Sequence, residues 1–146
     1  MQQAGAVAGC PLCEAAGGEV LWRDARCRVI LADEAAHPAF CRVVWHAHVR
    51  EMTDLGPAER THLLGVVLAV EAVLRELLAP AKINLASLGN QVPHLHWHVI
   101  PRFIDDAHYP DAVWAAPRRE GVAHAVDAGR LRERLAAVIA ATVAAQ

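Results

Sequence analysis

No stretch of this chain is apolar for long enough to cross a bilayer. The longest greasy runs are Leu63–Val70 and the Ala-rich tail from Leu135 to Ala145, both well short of the roughly 20 residues a spanning helix needs. The N-terminus lacks a basic leader and a long apolar segment, so no secretory signal is predicted and a reducing cytoplasm is the expected compartment. A basic surplus is also missing. Lys+Arg is 14 against 16 Asp+Glu, a net charge of -2, which excludes a nucleic-acid backbone as the main partner. Lysine is nearly absent, Lys82 being the only one, and the richness in Arg and Ala fits a GC-rich genome and carries no functional inference. Neither Gly-x-x-x-x-Gly-Lys-Ser/Thr nor Gly-x-Gly-x-x-Gly occurs, so phosphate binding by those loops is excluded. No internal repeat and no low-complexity linker breaks the chain apart from its Ala-rich end.

What is present is a globular composition, 55% apolar and 21% charged over 146 residues, the size of one domain. Short strands are expected at Val20–Arg23, Cys27–Ala32 and Cys41–Trp45. Gly56-Pro57 opens a helix, with Pro57 suited to the first position and Glu59 complementing the helix dipole. Leu63, Val67, Val70, Leu74 and Leu77 recur at helical spacing as one buried stripe, and Pro80 ends it. Strands at Ile83–Ser87 and His94–Ile100, separated by a turn at Gly89-Asn90, follow. Residues 104–126 read as irregular surface, and Ala128–Ala144 as a C-terminal helix. This order predicts a single α+β domain over 1–146 with an antiparallel sheet, a core at about 10–103 and a C-terminal extension at 104–146.

The most informative stretch is His94-Leu95-His96-Trp97-His98-Val99-Ile100. On a strand its three imidazoles fall on one face, roughly 6–7 Å apart in succession, while Leu95, Trp97 and Val99 point into a core. Three imidazoles in a row are costly when buried without partners and useful beside a polar ligand, where each can act as nucleophile, acid, base or metal ligand. Two other readings compete. A run of surface histidines has no need of an apolar opposite face. A three-histidine catalytic zinc site needs a base, and the segment holds no acidic residue.

This stretch matches in full the His-φ-His-φ-His-φ-φ signature (φ apolar) of the histidine-triad (HIT) family of nucleotide hydrolases and transferases, which the chain resembles. The resemblance extends to the lead-in Gly89–Pro93, to Ile30–Asp33 with Pro38–Trp45, and to His48–Leu55 before the long helix. It implies a HIT-like fold, with a five-stranded antiparallel sheet, one long helix and a C-terminal helix, paired as a homodimer. The implied chemistry is attack by His96 on the α-phosphorus of a dinucleoside polyphosphate or nucleoside phosphoramidate. A covalent nucleotidyl-histidine forms and water then cleaves it. His98 would stabilise charge and protonate the leaving group, and His94 would complete the triad. Gln91 and Asn84 would contact phosphate, Asn84 with a spacing one residue short, and Asp33 would hold the ribose diol. No cofactor is required for the chemistry. The alternatives are a nucleotidyl transferase, a silent nucleotide-binding module and a zinc-dependent interaction domain.

One departure stands out. Many family members carry a fourth histidine in a Pro-x-His turn, and here the turn reads Pro38-Ala39-Phe40, leaving His37 or another group to serve the triad. A second constellation joins Cys10-x-x-Cys13 to His46-Ala-His48. With no export signal, Cys-x-x-Cys reads as metal or redox before disulfide, and no strand-motif-helix context supports a thioredoxin-like role. By resemblance to zinc-binding family members, Cys10, Cys13, His48 and His94 would hold a structural zinc, with His46 as the alternative to His48. An unmetallated thiol pair is the competing reading. Cys27 and Cys41 are expected as buried apolar residues. Arg50 and Arg102 are candidates for neutralising distal phosphates. Trp114 either reaches over an active site or packs on its own helix, and His62, His108 and His124 read as surface residues.

Overall fold

The computed structural model describes residues 5–143, so the predicted helix end at Ala144 lies outside the described residues. A short helix α1 (Pro11–Glu14) precedes strands β1 (Glu19–Arg23), β2 (Cys27–Leu31) and β3 (Cys41–Trp45). Helix α2 (Pro57–Leu78), strands β4 (Lys82–Ala86) and β5 (His96–Arg102), and helix α3 (Ala128–Thr142) complete the order. The five strands form one sheet in the order β1-β2-β3-β5-β4, with every neighbouring pair antiparallel. The α+β fold with a five-stranded antiparallel sheet is therefore as expected.

Helix α2 forms where the apolar stripe predicts. Pro57 occupies its first turn, and the Glu59 carboxylate accepts a hydrogen bond from the Gly56 N–H at 2.9 Å. The helix ends on Ala79 in the left-handed region, just before Pro80. Its buried residues, Leu63, Val66, Val67, Val70, Val73 and Leu74, pack with Cys27, Val29, Cys41, Val43 and Val99 from the sheet and with Leu131, Leu135 and Ile139 from α3.

Antiparallel pairing puts directly opposed residues on the same face. Arg42 opposes His98 and Val44 opposes His96 across β3–β5, while Asn84 opposes Ile100 across β4–β5. The face opposite the helices thus carries Arg28, Arg42, His96, His98, Ile100 and Arg102. It is covered in part by the N-terminal arm, whose Cys10 and Leu12 pack on Ile30 and Val44.

Two boundaries differ from expectation in a way that bears on the site. Strand β5 starts at His96 rather than His94 and runs on to Arg102. The Leu95 N–H donates to Val49 O at 2.8 Å while its carbonyl accepts from Trp45 N at 3.2 Å, so regular pairing begins only after it. The predicted turn is present, with Gly89 at φ +72, a conformation that favours glycine. The segment after β5 is irregular, as expected, but it is anchored by a buried group. Both oxygens of Asp106 accept from Arg102, at 2.9 and 3.0 Å, and the N–H groups of Phe103, His108 and Tyr109 donate to the same carboxylate.

Candidate active site

The His96 Nδ1–H donates to the carbonyl of His94 at 2.6 Å. A neutral imidazole bonded in this way carries its lone pair on Nε2, the atom needed as nucleophile. Burial, opposed by that hydrogen bond, pushes its pKa down, favouring the neutral ring. The ring centroid of His98 lies 4.9 Å away, nearly perpendicular. Burial is again the first cause in lowering the His98 pKa, joined by the charges of His96 and Arg42, and the result is about 4. A cavity of about 330 Å³ opens at His96 between Arg50–Thr53 and the loop Ser87–Gly89. The Ser87 hydroxyl donates to the His96 carbonyl at 2.8 Å and ties that loop to β5. A larger cavity, about 650 Å³, lies instead between the β1–β2 hairpin and α3, lined by Trp22, His62 and Ile139. None of the triad lines it, so volume alone does not locate the chemistry.

His94 departs from the expected row of three. It precedes the strand, and its ring is directed to other partners. Nε2–H donates to the Trp45 carbonyl at 2.6 Å, which leaves the Nδ1 lone pair facing Cys10 Sγ at 3.4 Å and Cys13 Sγ at 3.5 Å. His48 Nδ1 stands 3.3 Å from Cys13 Sγ, and all four donor atoms lie within 4.8 Å of one another. A tetrahedral ion with Zn–S of about 2.3 Å and Zn–N of about 2.0–2.1 Å requires S···N separations of about 3.5 Å, so the donor set fits zinc in both type and spacing. The Trp45 carbonyl supplies the outer partner that orients a ligating imidazole. His46 does not join this cluster; it accepts from Arg28 Nη1 at 3.0 Å and donates to Asp24 O at 2.9 Å.

The remaining candidates divide. Asp33 is exposed just past the end of β2, and Gln91 is exposed in the loop leading to β5. Asn84 lies on the triad's face, but its Oδ1 accepts from Arg102 Nη1 at 2.9 Å. Arg102 is 2% exposed and bound to Asp106, so it is not a cation for distal phosphates. Arg50 is exposed and lines the cavity at His96. His37 bonds His108 at 2.8 Å, and among the described residues no hydrogen bond joins it to the triad. His62 and His124 are half-buried and bonded to Asp24 and Asp105, each at 2.7 Å, rather than free on the surface. Cys27 and Cys41 are buried, and burial raises the Cys41 thiol to about 12, which leaves it inert.

Three residues matter more than sequence reasoning allowed. Arg28 donates to the carbonyls of Leu12, Ala15 and Ala16 at 2.8, 3.2 and 3.0 Å, pinning the cysteine-bearing arm to β2. Arg42 donates from Nε to His98 Nδ1 at 3.3 Å. Trp114 stands with its ring 5.0 Å from His98 and 6.4 Å from Phe40, over the site. A lone arginine has no motif, and only the strand pairing reveals Arg42 as the partner of His98.

An imidazole with a fixed tautomer, a second imidazole beside it and this five-stranded sheet define a histidine-triad site. The HIT domain model matches residues 15–105. The chain belongs to the HIT family. It is 27% identical over 104 residues to a bis(5'-nucleosyl)-tetraphosphatase (asymmetrical) of Schizosaccharomyces pombe, covering 68% of this chain and 57% of that protein. The chain thus spans little more than half the length of that curated relative. A histidine triad protein from Marinobacter aquaeolei superposes with a TM-score of 0.68 at 26% identity, covering 87% of this chain and 92% of the other. One from Bradyrhizobium japonicum gives 0.64 at 28% identity, covering 82% and 88%.

Proposed function

We propose that this protein is a nucleotide hydrolase acting at the α-phosphate of dinucleoside polyphosphates or nucleoside phosphoramidates. Family membership and the tetraphosphatase relative support nucleotide hydrolysis at the level of the family. The observation that carries the finer reading is the hydrogen bond from His96 Nδ1 to the His94 carbonyl, which leaves Nε2 as the nucleophile. Nε2 attacks the α-phosphorus as the bond to the leaving group breaks and its electron pair departs with that group. The nucleotidyl-imidazolium keeps its Nδ1–H on the His94 carbonyl. Water then attacks phosphorus, the P–N bond breaks, and a nucleoside monophosphate is released with a proton to solvent. His98 stabilises charge on the phosphoryl oxygens. Asp33 holds the ribose, and Gln91 and the free amide NH2 of Asn84 bind phosphate. His94 acts by positioning His96 through its backbone.

Cys10, Cys13, His48 and His94 hold a structural zinc in this reading. The ion would lock the N-terminal arm onto the sheet beside the triad strand and take no part in the reaction. The chemistry itself needs no cofactor. A homodimer would use the open edge at β4, where Leu85 and Leu88 are exposed, as is Leu68 of α2. Four cysteines outside any disulfide suit a cytoplasmic location.

Incubation with a dinucleoside tetraphosphate tests the function. Release of nucleoside monophosphate, lost by about 10⁴-fold in His96→Asn with the fold retained, is expected on removal of a nucleophile. Nucleotide binding without release would contradict hydrolysis, and transfer to an acceptor other than water would make the protein a transferase. Purified protein should carry near-stoichiometric zinc that is lost in Cys13→Ala.

A further inference from the structure

Phe40 stands beside the triad in the Pro38-Ala39-Phe40 turn, and the structure shows what it holds there. Arg42 is the direct cross-strand partner of His98. Its guanidinium lies over the Phe40 ring, with Cζ 5.0 Å from the centroid, and its Nε–H points to His98 Nδ1 at 3.3 Å. Phe40 also meets the His98 ring edge-on at 5.5 Å, so one aromatic platform holds both partners. An arginine in a protein stays charged and only donates hydrogen bonds. The Nδ1 that receives this bond therefore carries no proton, and the ring's single proton sits on Nε2. An imidazolium would place a second N–H against the guanidinium.

We propose that Arg42 fixes His98 as an Nε2–H hydrogen-bond donor that cannot serve as a proton donor, so that the site cleaves phosphoric anhydrides and discriminates against amine leaving groups. This rests on the nucleotidyl-histidine reading above. Losing the Nε2 proton from a neutral imidazole would create an imidazolate, which is inaccessible near neutral pH. A leaving nucleoside polyphosphate departs as a stable oxyanion: the Pα–O bond breaks, the electron pair stays on oxygen, and no proton is needed. An amine departs only if its nitrogen gains a proton as the Pα–N bond breaks, and His98 held in this way does not supply one. Donation from Nε2 still stabilises developing charge on oxygen. The charged or titratable groups facing His98 are Arg42 on β3 and His96 on its own strand, with Glu34 behind Arg42 at 3.9 Å. The neighbours from the other packed segments, Phe40 and Trp114, do not titrate. Arg42 is in this account a positioning residue.

The test uses full-length protein, with diadenosine tetraphosphate and an adenosine 5′-phosphoramidate of an alkylamine as probes. Two measurements are compared, kcat/KM on each probe and the ¹⁵N NMR signature of the His98 ring at neutral pH. Wild type should show Nδ1 unprotonated and Nε2 protonated, and should cleave the tetraphosphate faster. Arg42→Met should raise the ratio of phosphoramidate to tetraphosphate cleavage at least about 10-fold, since a working general acid contributes about 10²–10⁴, and should raise the pH at which His98 titrates. Were Arg42→Met not to fold, the two wild-type measurements would still decide. A proton on Nδ1 of wild-type His98, a wild-type preference for the phosphoramidate, or an unchanged ratio in Arg42→Met overturns the proposal. Wild type that cleaves neither probe and forms no adduct overturns the hydrolase reading and the leaving-group preference with it. The tautomer is read separately by NMR.

Discussion

The two faces of the sheet are both buried, yet they are held by different physics. The helix-covered face carries Cys27, Val29, Cys41, Val43 and Val99 against α2 and α3, a contact surface of aliphatic groups with no demand on direction. The opposite face carries Arg28, Arg42, His96, His98 and Arg102, and each of these has a specific partner within hydrogen-bond reach. Polar groups survive burial only when so paired. The first face tolerates changes of shape through repacking, whereas on the second the removal of one partner leaves the other buried and unpaired. Its chemistry follows from the same fact, since the bonds that satisfy His96 and His98 also fix their tautomers.

Cutting each face once separates the two kinds of support. Arg102→Met removes a guanidinium that is 2% exposed and leaves the Asp106 carboxylate, 1% exposed, without its ion pair. The expected loss is about 3–5 kcal/mol in urea unfolding, and the segment after β5 should gain hydrogen exchange. Leu63→Ala, on the buried stripe of α2, is expected to cost about 3 kcal/mol with no such local loosening. A larger loss for Leu63→Ala than for Arg102→Met would show that the polar face adds little to stability.

Acid sharpens the contrast further, because His98 on the polar face titrates. His98 is depressed from 6.5 to about 4. Between those values the unfolded chain binds more protons than the folded one, so the stability contributed by keeping His98 neutral is complete above about 6.5 and is lost as the pH falls toward 4. The share of this one group is at most on the order of 3 kcal/mol. Urea titrations at pH 7 and pH 4.5 should show a smaller acid-induced loss in His98→Asn than in wild type. An equal loss would remove His98 from the account.

Much of the helix-covered face was legible in the sequence, because helical and strand periodicities record which side chains must leave water. The stripe from Leu63 to Leu77 and the strand at Cys41–Trp45 needed nothing else. The polar face was legible where a motif marks it, as at His96 and His98, and in the pairing of Cys10-x-x-Cys13 with His48 and His94. It was not legible where the partner is distant in sequence. Alternation placed His94 in the strand, but its ring is turned to Trp45 O and the two cysteines and its neighbour's backbone bonds Val49, so the ladder starts two residues later. Arg102 looked like a free cation because Asp106 sits in a segment with no periodicity. Arg42 became meaningful only through the register that sets it opposite His98.

In the proposed reaction His96 Nε2 is the nucleophile. Mass spectrometry of protein quenched during turnover of a slow thio-substituted dinucleoside polyphosphate tests it most directly. A nucleotidyl mass located on His96, and missing from His96→Asn, is the predicted result. Turnover with no adduct, or an adduct mapped to His94 or His98, would contradict it.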